Sequence, residues 1–456
     1  MKNFDITEFN GILGEWWLPE KPSNKIHGVL SIADNGKIEM RSIEQFEDTE
    51  FDFCGNYPAI DGFLSKGQKV TLINAFRYFS EHMPGYEEDH YEPQAIVIGQ
   101  HFDVWDFSVD AIEADFDRVS DWFNVNPFQI ITPEDKSAFT ISCVIQHLPT
   151  FQIGDKKISL GYNQQMSKQK YTMSLQYFVR AEIAFNKQIK ILNAIDELRN
   201  LANFFTLCMG TKCNFKNISF TVDEEENNYL LFNASKTEDE AKQNLPPFLI
   251  SYADIDSLFV QCVKEWYCKK EDITPVIDYF VEAHDTTLHH SSVMTFLKLA
   301  QALESYSRKT WKETAEPQAD YEARVARILG KFDEKDPDYK ILFDMLNRTG
   351  ANEPSNNKRF KTIIQRTKGY LGIESCDSIK KLSYHIVATR NYYTHFNESL
   401  KNDIYSAPEL YHVNSLLREM LRILLMQSLN IPNEKIQKAV SLNGDIRRAS
   451  RVLKLV

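Results

Sequence analysis

Within "VATRNYYTHFNES", residues 387–399, an arginine, an asparagine and a histidine stand at positions 390, 391 and 395. Together these side-chain types could serve a reaction on a phosphodiester. Breaking an RNA strand without a metal needs a base for the 2′-hydroxyl proton, an acid for the leaving 5′-oxygen, and a cation beside the phosphorus oxygens. Histidine titrates close to neutrality, so His395 suits either proton role. Arg390 carries a permanent charge on a planar fork that fits phosphate oxygens. Asn391 can hold either the ring or the phosphate in register.

The residues before the motif must position it. Ile379, Leu382, Ile386 and Val387 follow helical spacing, with Lys380 and Lys381 pointing outward, so a helix starting near Asp377 carries the motif at its end. On an ideal helix Asn391 and His395 lie about 40° apart, on one face, whereas Arg390 sits about 140° from His395. Bringing Arg390 to the imidazole therefore needs a frayed end, a kink or a partner chain. A dimeric cleft would supply both the missing angle and a second histidine. The bland alternative is that Arg390 pairs a carboxylate and His395 caps the helix C-terminus, where the dipole favours a cation.

The rest of the chain changes period half-way. "IHGVLSIADNGKIEMRSI" (26–43) alternates apolar and polar residues about Asp34-Asn35-Gly36, which predicts a hairpin. Met173, Leu175, Tyr177, Val179, Ala181, Ile183 and Phe185 alternate along a second strand, and 94–107 and 137–148 add β-branched and aromatic runs. Residues 1–185 read as a β-rich sandwich or barrel-like domain, and 186–250 as a connecting region of helix and strand. Residues 251–456 read as an all-helical bundle, with helices at 255–266, 292–306, 377–396 and 406–429. The fold class is α+β: a β-rich N-terminal domain, then helices. Ser406 and Glu409 stand in capping-box register with Pro408 in the first turn. The apolar set from Leu416 to Leu429 covers more than one stripe, so that helix is either central to the bundle or shared with a second subunit.

The formal net charge of −12 conceals an asymmetry: residues 355–456 hold 17 Lys and Arg against 8 Asp and Glu, a net of +9, leaving −21 in front. A basic rear surface suits a polyanion. The chain lacks a secretory signal pattern at its start and any spanning apolar run. Its seven cysteines include no C-x-x-C pair, so a reducing cytoplasm is expected.

"RNYYTH" resembles the R-x(4–6)-H motif of HEPN-superfamily ribonucleases, in which a polar residue directly follows the arginine. The resemblance implies metal-independent cleavage leaving 2′,3′-cyclic phosphate and 5′-hydroxyl ends, at a composite site built by two subunits. It makes Arg390 the phosphate clamp, His395 the proton-transfer residue and Asn391 the positioning group. "FLKLAQALESYSR" (296–308) resembles the first long helix of ApeA-type HEPN domains, which would turn Glu304 toward the motif to orient Arg390 or His395. Their β-rich N-terminal module is similar in placement to residues 1–185, implying a sensor of a phage-derived trigger in anti-phage defence.

Other constellations point elsewhere or nowhere. His284, Asp285, His289 and His290 fit no standard zinc spacing and read as a solvated loop between helices. His101 and Asp103 beside Trp105 read as a strand end with a structural histidine. Phosphate-loop, dinucleotide, zinc-protease and serine-hydrolase motifs do not occur, and no metal or cofactor is expected. Tyr392 and Tyr393, side by side on the motif helix, either stack on an unpaired base or pack inside the bundle. The expectation is a dimeric, cytoplasmic endoribonuclease, joined through its C-terminal helices, with transfer RNA as the favoured substrate because its loops splay bases out. The alternative is a catalytically silent HEPN-like bundle that binds RNA, a nucleotide or a partner protein.

Overall fold

A computed structural model describes residues 9–33, 35–46, 55–84, 86–124, 126–132, 140–144, 147–168, 170–223, 227–233, 247–285 and 291–455. The chain divides into two compact units, one of residues 1–205 and 213–246, the other of residues 206–212 and 247–456.

The first unit opens with β1 (Ile12–Trp17), β2 (Ile26–Ile32), β3 (Ile38–Ser42), β4 (Asn56–Leu64), β5 (Lys69–Met83) and β6 (Tyr86–Gly99). The β2–β3 hairpin turns through Gly36 at φ 79°, with Ile32 opposite Ile38; Asp34 of its expected turn lies outside the described residues. All pairings are antiparallel, in the order β6-β3-β2-β1-β4-β5, and β5 pairs back onto β6 to close a barrel. Alternate residues fill the interior, among them Trp16, Leu30, Met40, Ile60 and Leu72. Gly62 is required there, because a Cβ would stand 2.4 Å from the Trp16 ring.

β6 serves two sheets because it is long. Its first half pairs with β3 (Met40 opposite Tyr91), and its second half pairs with β14 (Asn228–Phe232), Tyr229 opposite Ile98. From there an open sheet continues through β13 (Phe215–Thr221), β7 (Ser108–Phe116), β12 (Met173–Lys190) and β11 (Lys156–Lys168) to β10 (Thr150–Ile153). Burial along β12 is confined to Val179, Ala181 and Ile183, while Met173 is exposed, so only half of the expected apolar face is covered. The run at 94–107 ends as strand at Gly99, and within 137–148 the described strand is β9 (Thr140–Cys143), paired with β8 (Phe128–Ile131). Between β7 and β8 lies α1 (Val119–Phe123). α2 (Ile191–Met209) sets Phe205 edge-on to Phe116 and Trp122.

The second unit is helical: α3 (Tyr252–Ile255), α4 (Phe259–Glu282), α5 (Ser292–Trp311), α6 (Gln318–Leu329), α7 (Pro337–Asn347), α8 (Asn356–Leu371), α9 (Cys376–His395), α10 (Ala407–Ser428), α11 (Asn433–Leu442) and α12 (Gly444–Val452). The pattern at 255–266 splits into the end of α3, which a Ser251–Asp254 capping box opens, and the start of α4. α4 bends at Ile273, two residues before Pro275, whose missing N–H interrupts the helical ladder. The Ser406–Glu409 capping box opens α10, both Ser406 donors meeting Glu409 Oε2 at 2.6 and 2.8 Å.

Of the two expectations for α10, the structure takes the central one. Its residues from Leu416 to Met426, apart from Arg418, are buried within a single chain, against α5, α12, α4, α8 and α11. The α6–α7 hairpin was not legible as such. It keeps a small core of its own around Tyr321, Val325 and Leu329.

Candidate active site

The site is the C-terminal end of α9. Ser375 caps its start, accepting from the Asp377 and Ser378 N–H groups; of the stripe read from the sequence Ile379, Leu382 and Ile386 are buried and Val387 is half-buried. The helix runs to His395 and stops where Phe396 takes a left-handed backbone at φ 50°, unusual for a bulky residue. The chain then folds back along the helix. The Tyr405 N–H donates to buried Thr389 Oγ1 at 3.1 Å, His385 Nδ1 donates to the Asp403 carbonyl at 2.7 Å, and the Tyr384 hydroxyl donates to Asp403 Oδ2 at 2.8 Å. Two turns of α9 thereby fix the loop that frames the motif.

Arg390 is half-buried and held from two sides. Its Nη1 donates to Asn391 Oδ1 at 3.2 Å, and its Nη2 lies 3.6 Å from Glu304 Oε2 on α5, an ion-pair distance too long for a direct hydrogen bond. Glu304 is buried, and its other oxygen accepts from Arg308 Nη2 at 3.0 Å. Arg308 in turn reaches Glu353 at 2.7 Å, and Glu353 meets the buried Arg359 at 2.6 Å. A chain of alternating charges thus runs from the motif arginine through α5 to α8. Arginine has five N–H donors, so this arrangement leaves Arg390 donors for an incoming anion while fixing its head.

His395 is exposed and makes no hydrogen bond or ion pair among the described residues. The helix is regular up to it, so within one chain Arg390 and His395 diverge by about 140°. Asn391 shares the histidine's face, but its carbonyl oxygen is engaged by Arg390. Tyr392 and Tyr393 are half-buried and meet edge to face at 5.1 Å. The structure therefore brings Glu304, Arg390 and Asn391 together and leaves His395 apart from them. Arg308 and Glu353 were not singled out from the sequence; the i, i+4 spacing of Glu304 and Arg308 was the available signal.

His284 and His101 hold structural contacts. His284 is buried: its Nδ1 donates to the Phe280 carbonyl at 2.7 Å and its Nε2 accepts from Arg422 Nη2 at 2.5 Å. Burial, together with the charges of Arg422 and Arg418, holds its pKa well below the ordinary value. Asp285 pairs with Lys212 at 2.5 Å. The solvated loop expected at 284–290 is thus corrected for its first two residues, because α10 presents a buried arginine there; His289 and His290 lie outside the described residues. His101 Nε2 donates to the Gly62 carbonyl at 3.0 Å.

Two family models match. Residues 11–266 match the model described as ApeA N-terminal domain 1, and residues 297–435 match Apea-like HEPN. The chain belongs to the ApeA-type HEPN family. This is a family of defence-associated HEPN nucleases; HEPN domains are generally ribonucleases, and they commonly bind RNA and dimerise. Glu304, Arg308, Arg390, Asn391 and His395 all fall inside the HEPN match. Searches of curated proteins and of solved structures returned no match. Among the described residues no helix is long and apolar enough to cross a membrane, and no three His, Cys, Asp or Glu gather in a group that could hold a metal ion.

Proposed function

We propose that this ApeA-type chain is an endoribonuclease that cuts RNA without a metal in abortive anti-phage defence, held under control by its N-terminal unit. Transfer RNA is the favoured substrate, since its single-stranded loops let bases splay out for recognition. The observation that carries the reading is the end of α9, where Arg390 is fixed by a buried carboxylate with donors to spare and His395 stands open to solvent. Arg390 clamps the phosphate and Asn391 fixes its guanidinium. His395 either takes the 2′-hydroxyl proton or protonates the leaving 5′-oxygen. The 2′-oxygen attacks phosphorus, the bond to the 5′-oxygen breaks, and a 2′,3′-cyclic phosphate and a 5′-hydroxyl result.

The angle between Arg390 and His395 favours a homodimer in which each active centre takes groups from both copies. Because α10 buries Leu416 to Met426, apart from Arg418, within one chain, the dimer would form through surface residues of the C-terminal helices nearer the motif. The test is to incubate wild type and His395→Ala with total RNA, with and without EDTA, and to read the cleaved ends. Cleavage by wild type in EDTA with cyclic-phosphate ends, lost in the variant, supports the proposal. Equal cleavage by both proteins sinks the assignment of His395.

A further inference from the structure

Of the 17 cations in the basic rear segment, eight form ion pairs among the described residues. Arg359 meets Glu353, Arg366 meets Glu313, Arg422 meets Glu419, and Lys435 and Lys438 share Asp254. α12 is different. Arg447, Arg448 and Arg451 on it, and Lys454 in the turn that follows, are exposed and make no ion pair among the described residues. Arg447 and Arg451 stand one turn apart, about 6 Å along the axis and about 40° around it, with Arg448 about 60° to the side of Arg451.

The helix that carries them is pinned. Ile446, Ala449 and Ser450 are buried on its inner side, where α12 packs on α10, and Leu455 is buried beyond its end. The Asn443 cap accepts from the Asp445 N–H at 3.2 Å and donates through Nδ2 to buried Glu419 at 2.9 Å. A terminal helix this short would fray in isolation; here the packing and the cap hold its cations outward as a fixed row. α12 also lies beyond residue 435, where the HEPN match ends.

We propose that this row is a binding surface for the phosphate backbone of single-stranded RNA, separate from the motif. Exposed guanidinium groups on a rigid helix suit phosphate oxygens without reading bases. An anionic membrane would meet the same charges, but an interfacial helix must bury an apolar face in lipid, and that face of α12 is already packed on α10. The choice of RNA as partner rests on the nuclease reading; the surface itself does not.

The test uses full-length protein with His395→Ala, so that RNA stays intact, and compares it with the same protein carrying R447A and R451A. Anisotropy of two short labelled single-stranded RNAs of unrelated sequence is followed between roughly 50 and 200 mM salt, with the unfolding midpoint checking the fold. At about 0.7 units of slope per single-strand phosphate contact, losing two contacts should flatten the salt dependence by about 1.4, equally for both sequences. R447K with R451K should restore the slope. Unchanged affinity and slope in the alanine variant overturn the proposal. So does a loss seen only on phosphatidylserine-containing vesicles. If wild type cuts no RNA and yet the alanine variant loses binding, the nuclease reading falls and this surface stands.

Discussion

The helical unit assembles the same four side-chain types twice. At the end of α9 they are Arg390, Asn391, His395 and Glu304; on and around α10 they are Arg422, Asn443, His284 and Glu419. In the second set Arg422 meets Glu419 and His284 at 2.5 Å each, Asn443 adds a bond at 2.9 Å, and both imidazole nitrogens are engaged. In the first the arginine keeps 3.6 Å from its carboxylate and the histidine faces water. Residue types alone therefore do not mark a reaction site. A substrate can enter only where the protein has not already paired the groups, and of these two sets that leaves the end of α9 as the candidate.

That contrast is sharpest in the histidines. His395→Ala should lower RNA cleavage by about 10²–10⁴-fold while leaving the unfolding midpoint unchanged, because an exposed, unpaired side chain stabilises little. A lost midpoint with retained turnover would place His395 with His284. Next, Glu419→Ala should cost the helical unit about 3–5 kcal/mol in denaturant titration by stranding buried Arg422, with cleavage per folded molecule retained.

Glu304→Gln should act through Arg390 rather than on the fold as a whole. We expect kcat to fall by at most on the order of 10²-fold, with dimerisation and RNA affinity nearly kept. A variant that loses RNA affinity instead would make Glu304 part of the binding surface. The smallest effect concerns pH. His284 has a folded pKa below its unfolded one, so above about 6.5 neither state is charged and the residue contributes no pH dependence. As pH falls below that value the unfolded chain takes a proton that the folded chain refuses, and stability drops by up to about 1.4 kcal/mol per unit. Thermal unfolding between pH 7.5 and 5.5 should show this slope in wild type and lose part of it in His284→Gln.

Much of the helical unit was legible because its signals are local. The α9 stripe, the Ser406–Glu409 capping box and the period-two runs of the first unit depend on residues within a few positions of each other. What escaped were α6, α7, α8, α11 and α12 as individual helices, and events between distant segments. β6 closes a barrel and also begins an open sheet, which its alternating sequence cannot express, because alternation says that a strand has two faces and not which strands lie at its edges. His284 looked like part of a polar loop because Arg422, its partner, lies far along the chain.

The sequence by itself determined the order of β-rich and helical parts, the helix that carries Arg390, Asn391 and His395, and the basic character of the rear segment. Periodicity, capping and charge are properties of the chain, and they persist in any packing that keeps the helices. Only the tertiary structure decided which carboxylate faces Arg390, which histidine stays in water, and which cations remain unpaired on α12. Pairing and desolvation depend on what distant helices bring within a few ångströms, and in a low-dielectric interior those contacts determine whether a charged group is a structural tie or a reactive one.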